Sequence, residues 1–577
     1  MLNSELNSII FDAIVIGSGI TGGWAAKELT EQGLKVLVLE RGRMVKHGED
    51  YPTADLDTWQ LPLHGTPSRQ DLVQQEKQAR SGFAVNQDIK HWFVNDLKHP
   101  YSEKQRFDWL RGYHVGGRSL TWGRQCLRMS DIDFSANAQD GNGVDWPVRY
   151  KDISPWYDKV ETFIGIIGEK LNLPQLPDGQ FLPPMPLNCV ENHFKKQLTK
   201  NYSDRLLTIG RVAHLTGYKN FAGRSPCLYR NRCMRGCPTG GYFSSNSSTL
   251  PAAEKTGNLT LLTDAIACEI VYDDKTSLAE GVHIINALTK GKSYIKAKII
   301  FCCASTVATT SLLMQSRSSR FPNGLGNDSG QLGHNLMDHH FRVGATATVN
   351  QFNDKYYKGR RPVGFHIPRF RNVPKGHEES PLSNDVNFLR GYGFQGYASR
   401  TNWRRGIKEM SFGEELKDSL LKPGPWKITL IGFGECLPRH DNKLTLDYQS
   451  LDEWSLPTVN FDCSFGENEE KMRVDIKQQA VEMLSKAAYE NVQPYDKQSF
   501  PGQAIHEMGT ARMGKDPKTS VVNSHNQLHA VRNVYVTDGS FMPSSGYQNP
   551  SLTYMAFTAR AAHHAVQALK NGSFSHG

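Results

Sequence analysis

Three stretches predict the fold class: a strand–turn–helix–strand unit at residues 11–42, a set of apolar strands between Asn258 and Ala304, and a change from Phe341 to about Phe500 to strands alternating with basic and aromatic loops. Together they predict an α/β chain, α+β overall, in which a Rossmann-like dinucleotide-binding domain carries an inserted, mainly antiparallel sheet. The expected boundaries are 1–340 for the first domain, with surface excursions at 45–105 and 145–205 and a cysteine loop at 225–240. The inserted substrate-binding domain spans 341–500, and 501–577 returns to the first domain.

The first unit opens with a buried strand from Phe11 to Ile16, turns through Gly17-Ser18-Gly19-Ile20-Thr21-Gly22, continues as a helix to Gly33 and returns as the apolar strand Leu34 to Leu39. Gly17 permits the tight turn, Gly19 lets backbone amides approach a pyrophosphate, and Gly22 allows the helix to pack closely on the strand, so the helix N-terminus faces the phosphates. Glu40 follows Gly22 by 18 residues, near the spacing of an acid that binds a ribose hydroxyl.

Composition sets bounds. At 577 residues the chain is long enough for two or more domains, and 38% hydrophobic with 22% charged residues describes a globular protein. No apolar run approaches the length of a membrane helix, and Met1 to Ser8 lack both a basic start and an apolar signal core, so no direct membrane span is expected. The net charge of +9 is spread thinly and does not indicate nucleic acid. Ten cysteines without a secretory signal argue against a disulfide framework, so a cluster of them reads as metal or redox chemistry.

The intervening elements follow in order. Tyr51 to Arg106 is polar, with Trp59, Pro62, Pro67 and Trp92 scattered through it, and reads as surface excursions. Gly116 and Gly117, flanked by aromatic and apolar residues in Arg111 to Gly123, suit close backbone approach to a flat ligand. Trp146 to Gly168 holds a plausible helix, and the proline-rich Leu171 to Leu187 after it suggests a connection or lid rather than core. Cys227, Cys233 and Cys237 fall within eleven residues, the last followed by proline. Three thiolates in a loop suit an iron–sulfur cluster; zinc with a distant fourth ligand and free or paired thiols are the other readings. Arg230, Arg232 and Arg235 would offset cluster charge, or form a solvated positive loop. The strands from Asn258 to Ala304 extend the sheet begun at Phe11. His339 and His340 are adjacent and point apart on any regular structure, so they are not read as a metal site. Near the end come His506, the strand Val531 to Thr537, then Asp538-Gly539-Ser540, and Asn549-Pro550 opening a helix to about Leu569, where Asn549 would cap.

With His506, Asp538-Gly539-Ser540 and Asn549-Pro550 joined to the N-terminal glycines, the chain resembles the glucose–methanol–choline (GMC) oxidoreductase family over essentially its whole length. The resemblance implies an FAD domain assembled from N-terminal, middle and C-terminal segments. It puts the catalytic pair on His506 and Asn549. It puts cofactor contacts on Gly17, Gly19, Gly22, Glu40, Arg41, Gly116, Gly117, Ser119, Asp538, Gly539, Asn549 and Pro550. The spacing of Cys227, Cys233 and Cys237 is similar to that in the catalytic subunits of bacterial FAD-dependent glucose dehydrogenases, which implies a 3Fe-4S cluster on these metal ligands. It also implies a small export partner subunit, periplasmic placement through that partner, and a cytochrome-type electron acceptor. The overall pattern is nearer to glucoside 3-dehydrogenases of the same group, implying a glucose, glucoside or disaccharide substrate.

Two positions depart from the family. Thr121 stands where pyranose oxidases carry a histidine for covalent flavin attachment, so a non-covalent FAD is expected. Ser305 stands where the family has a glycine after the strand ending near Ala304. The expected chemistry is proton removal by His506, alkoxide alignment by Asn549 and hydride transfer to flavin N5, with a positioned base contributing about 10²–10⁴-fold. Glucose 1-dehydrogenase, an oxygen-using pyranose-oxidase-like enzyme and a flavin electron-transfer subunit without its own substrate are the competing readings.

Overall fold

The computed structural model describes residues 8–217, 221, 223–355, 364–374, 386–400, 412–421 and 423–574. The Trp403-Arg404-Arg405 loop and residues 356–363 and 375 of the basic stretch at 355–375 lie outside the described residues.

The apolar run Ile10–Ile16 forms the central strand of the first sheet. It pairs in parallel with Val36–Leu39 on one side and with the far half of Lys292–Cys302 on the other. Leu259–Leu262 extends the sheet in parallel beyond Val36–Leu39, and Val534–Val536 pairs in parallel with Ile300, Phe301 and Cys302. The near half of Lys292–Cys302 turns instead to an antiparallel neighbour, Leu278–Asn286, which pairs with Ala265–Asp273. A sheet buried on both faces needs strands that are apolar at every position. Ala13 and Val15 accordingly pack beneath Ala25, Ala26 and Leu29 of the helix Ile20–Glu31 and Ala561, Ala562 and Val566 of the helix Ser551–Lys570, while Ile14 and Ile16 enter the main core on the opposite face. The strand Val534–Val536 is shorter than the predicted Val531 to Thr537.

The second sheet is antiparallel throughout, in the order Glu490–Asp496, His340–Val349, Trp426–Gly434, Tyr392–Arg400, Phe365–Ile367, Thr208–Ile209. Met472, Ile476, Ala480 and Met483 of the helix Glu467–Lys486 share one core with it, and so do Val190, Phe194 and Leu198 of the helix Cys189–Asn201. The sheet therefore draws on residues 189–209, outside the expected interval 341–500. Conversely, Lys443–Leu451 and Pro457–Asp462 leave it for a small sheet with Ser102–Glu103, whose core holds Phe107, Trp109 and Phe461.

The two predicted surface excursions are corrected by burial. The helix Tyr150–Ile164 places Ile153, Tyr157, Val160 and Ile164 on one stripe, all fully buried in the main core beside Trp146. Each such side chain contributes about 1.5–3 kcal/mol on leaving water. Tyr157 Oη shares a 2.8 Å hydrogen bond with Thr553 Oγ1 of the C-terminal helix. Residues 45–93 likewise enclose a core of their own, with Tyr51, Ala84, Ile89, Trp92 and Phe93 packed on Leu110, Leu120 and Leu250. Tyr51, Trp92 and Phe93 are its aromatic anchors, whereas Trp59 is exposed, and the irregular spacing gave no period to read.

Candidate active site

Parallel strands bring their carboxyl ends to one edge, where open α/β sheets bind ligands. Here Gly17 follows Ile16, Glu40 follows Leu39, Cys303 to Ser305 follow Cys302, and Asp538 closely follows Val536. All of them line one cavity of about 340 Å³, joined by Gly117, Ser119, Arg41, Gly539, His506, Asn549 and Pro550.

The glycines divide by role. A Cβ on Gly22 would stand 1.8 Å from Gly17 O, and one on Gly17 would stand 2.6 Å from Cys303 O, so these two serve backbone packing. A Cβ on Gly19 meets nothing within 4 Å, and one on Gly117 meets only Gly19 Cα at 3.6 Å, which leaves that wall open to a flat ligand. Gly116 does not line the cavity: its φ is +85° and a Cβ would stand 1.6 Å from Asn246 Oδ1. Ser119 Oγ donates to Gly116 O at 2.6 Å and so closes the turn. The helix Ile20–Glu31 has no acid in its first turn, leaving its N-terminal amides free for an anion.

Glu40 already accepts from Ser18 Oγ at 2.5 Å and from Gly42 N at 2.8 Å, and burial raises its pKa against those hydrogen bonds. Arg41 bonds Asp452 and lies over the Tyr113 and Trp454 rings. Asp538 accepts from Thr309 Oγ1 at 2.5 Å and Ser540 Oγ at 2.6 Å; burial raises its pKa too. Ser305 takes φ +79° and ψ 157° at the N-terminus of the helix Thr306–Gln315, a backbone that is essentially glycine-only. A backbone conformation suited to the family glycine is thus held by a strained serine. At the cavity edge, Gln125 and the Nε and Nη1 of Arg124 are buried without a hydrogen-bond partner among the described residues. A cavity with a bare glycine wall, a helix N-terminus and orphaned amide and guanidinium groups fits an FAD.

The predicted pair meets. His506 Nε2 and Asn549 Nδ2 lie 3.3 Å apart on the cavity wall. Asn549 is not the helix cap expected from its position: the helix Ser551–Lys570 starts at Pro550 with no side-chain cap, and Asn549 Oδ1 instead accepts from Gln395 Nε2 at 2.7 Å. Gln395 comes from the strand Tyr392–Arg400, so the second sheet reaches the pair. Behind it, His506 Nδ1 lies 2.8 Å from His339 Nδ1, and His339 Nε2 lies 2.7 Å from Gly546 O. Asp338 accepts from the backbone amides of Ala504 and His506, each at 3.1 Å. Arg118 grips Glu507 with two hydrogen bonds of 3.0 and 2.9 Å. Burial lowers the pKa of His506 well below its ordinary value, and the neighbouring His339 and Arg118 act in the same direction. Burial and the adjacent Glu507 push Asp338 up to about 7 against the amides that favour its ionised form. His339, Asp338, Glu507, Arg118 and Gln395 carried no sequence signal as site residues; the pairing of Asp338 and His339 with the segment around His506 spans over 160 residues.

The cysteine loop corrects one expectation and leaves another open. Arg230 pairs with Asp55, Arg232 with Asp57 and Arg235 with Asp88, so all three arginines staple the loop to residues 53–88, and Arg230 also favours the thiolate of Cys233 against its burial. Burial pushes Cys227 up to about 11, with Cys233 and Cys237 adding to the shift, and Arg124 opposes it. Gly241 N donates to Cys237 Sγ at 3.3 Å. Among the described residues, however, no three Cys, His, Asp or Glu side chains are arranged to hold a metal ion, so the thiol positions do not by themselves fit a cluster. No helix among the described residues is long and apolar enough to cross a membrane.

Family models for GMC oxidoreductases match residues 11–341 and 438–558. Among characterised proteins, the chain is 27% identical to 2-methyl-1,2-propanediol dehydrogenase of Mycolicibacterium austroafricanum, covering 95% of this chain and 94% of that protein. It is 23% identical to the fructose dehydrogenase large subunit of Gluconobacter japonicus, covering 99% and 100%. Pyridoxine 4-oxidase from Mesorbium loti shares the fold, with a TM-score of 0.59 at 16% identity, covering 96% of this chain and 99% of that one.

Proposed function

Because the chain belongs to the GMC oxidoreductases, FAD-dependent enzymes acting on CH–OH groups, we propose that it is a sugar dehydrogenase that oxidises a secondary hydroxyl of a pyranose, with C3 of a glucoside as the position. The observation that carries the reaction is the His506–Asn549 pair at 3.3 Å on the cavity wall. The sugar is supported by the end-to-end likeness to a fructose dehydrogenase large subunit; the C3 position rests on the sequence resemblance alone.

Gly17, Gly19 and the amides of the following helix would hold the pyrophosphate of the cofactor, Glu40 its ribose, and Gly117, Asp538 and Pro550 its flavin end. Thr121 in place of a histidine makes that binding non-covalent. Bound FAD supplies the acceptor for the hydride from the carbinol carbon. His506, kept neutral by burial, takes the hydroxyl proton, and general-base transfer from a positioned imidazole contributes about 10²–10⁴-fold. Asn549 Nδ2, aimed by Gln395, donates to the oxygen as negative charge develops on it. Arg118 occupies both carboxylate oxygens of Glu507 in a bidentate pair.

The 3Fe-4S cluster on Cys227, Cys233 and Cys237, a cytochrome-type acceptor, a small partner subunit and export with that subunit form one further reading. It rests on the cysteine spacing and on the word "large subunit" in a relative's name, and no step above depends on it. The substrate is tested by anaerobic titration of the FAD-loaded protein with a methyl glucoside, whose anomeric hydroxyl is blocked. Bleaching of the visible flavin bands supports oxidation at a ring carbon other than C1; bleaching by glucose alone makes the enzyme a glucose 1-dehydrogenase. Peroxide released in air without added acceptor would favour an oxidase instead.

A further inference from the structure

We propose that His339 is the positioning residue that fixes His506 as its Nδ1–H tautomer, so that the Nε2 lone pair faces the substrate hydroxyl; this rests on the reading of His506 as the base. The argument is one of hydrogen-bond accounting. Gly546 O can only accept, so the ring nitrogen 2.7 Å from it, His339 Nε2, carries the hydrogen. A neutral imidazole has one N–H, and burial lowers the pKa of His339 to about 4, so its Nδ1 is bare. The 2.8 Å contact between the two Nδ1 atoms then requires the hydrogen to sit on His506. His506 is itself neutral, because burial lowers its pKa well below the ordinary range, which leaves Nε2 with a free lone pair. The far side agrees independently: Gln395 Nε2 donates to Asn549 Oδ1, turning Asn549 Nδ2, a donor, toward His506 Nε2 at 3.3 Å.

The geometry closes on itself. Gly546 and Asn549 belong to one loop, and that loop meets the histidine pair at both ends. The two rings stand edge to face at 84°, with centroids 5.0 Å apart, and the completely buried His339 is the hydrogen-bond partner of the half-buried His506 at Nδ1. Without the acceptor on His339, the hydrogen on His506 Nδ1 would lose its partner and the ring would go over to the Nε2–H form, which cannot take a proton at that atom.

The test compares three variants of the FAD-loaded protein by anaerobic rapid mixing with the sugar that reduces it, resolving the limiting rate of FAD reduction from the sugar Kd. His339→Leu removes the acceptor; the limiting rate is expected to fall about 10²-fold while the sugar Kd stays within about 3-fold, because a tautomer defect acts on the proton transfer alone. His339→Gln restores an acceptor oxygen and is expected to recover the rate to within about 10-fold of the parent. Equal losses in both variants, or a change carried by Kd, would overturn the proposal. His506→Ala separates the two readings: an undiminished rate there removes the base assignment itself, whereas loss in His506→Ala with unchanged His339 variants removes only the tautomer role. The nitrogen shifts of histidine-labelled parent protein, with the His506 signal assigned by its loss in His506→Ala, give an activity-independent readout even if His339→Leu does not fold. A hydrogen on Nδ1 is expected, and a hydrogen on Nε2 would overturn the proposal.

Discussion

In the proposed reaction His506 is the base, and desolvation lowers its pKa well below the range of an exposed histidine. A depressed pKa means that proton-accepting capacity is present through neutrality and is lost only as pH falls well below 6.5. The limiting rate of FAD reduction is therefore expected to be flat across pH 6.5, which a pH series of anaerobic reduction rates measures directly. Replacing His506 with alanine should lower that rate by about 10²–10⁴-fold while leaving FAD content unchanged. Asp338 gives the opposite sign. Its folded pKa is raised to about 7 from 3.8, so the folded protein binds that proton more tightly than the unfolded chain and stability declines as pH rises between the two values. Asp338→Asn should flatten this slope in thermal unfolding midpoints taken across that range. At this scale the sequence singled out His506 and Asn549 through their motif context, and the structure brings them within 3.3 Å of each other. It could not disclose His339 or Gln395, because their roles arise only from pairing across 167 and 154 residues.

Elements were legible where periodicity and turn chemistry agree. The unit at residues 11–42 announced its strands, helix and glycine turn, since a parallel strand buried on both faces must be apolar along its length. The helix Tyr150–Ile164 was recognised as a helix, but the prolines around it suggested a lid; its stripe of Ile153, Tyr157, Val160 and Ile164 is core. The Arg230, Arg232 and Arg235 pairings with Asp55, Asp57 and Asp88 were hidden because the acids lie some 150 residues or more upstream in a stretch without a period. Ser305 offers a test at this scale. Its backbone costs of order 1–3 kcal/mol that glycine avoids, against about 0.5–1 kcal/mol of added unfolded-state entropy. Ser305→Gly is expected to stabilise the protein by about 1 kcal/mol in denaturant titrations. The cysteine loop offers another: Cys233→Ser should abolish any bound iron and acid-labile sulfide while leaving sugar-dependent FAD reduction intact. Parent protein free of iron after anaerobic preparation would remove the cluster reading.

Across the whole molecule, function comes from two sheets with different duties. The parallel strands of the first gather Gly17, Glu40, Ser305 and Asp538 at one edge, which forms the cofactor cavity. In the antiparallel second sheet the strand His340–Val349 starts directly after Asp338 and His339, and Tyr392–Arg400 sends Gln395 to Asn549. His506 and Asn549, the proposed catalytic pair, thus lie where the two sheets meet, held from both. This division was legible in the shift of sequence character near Phe341. Its boundary was not, since the second sheet borrows Thr208–Ile209 and the helix Cys189–Asn201 from well before that point. The most direct test of the whole account is anaerobic titration of the FAD-loaded protein with a methyl glucoside, in parallel with its His506→Ala variant. The account predicts bleaching of the flavin bands in the parent and none on the same timescale in the variant. No bleaching of the parent by any sugar, or equal bleaching of both proteins, would contradict it.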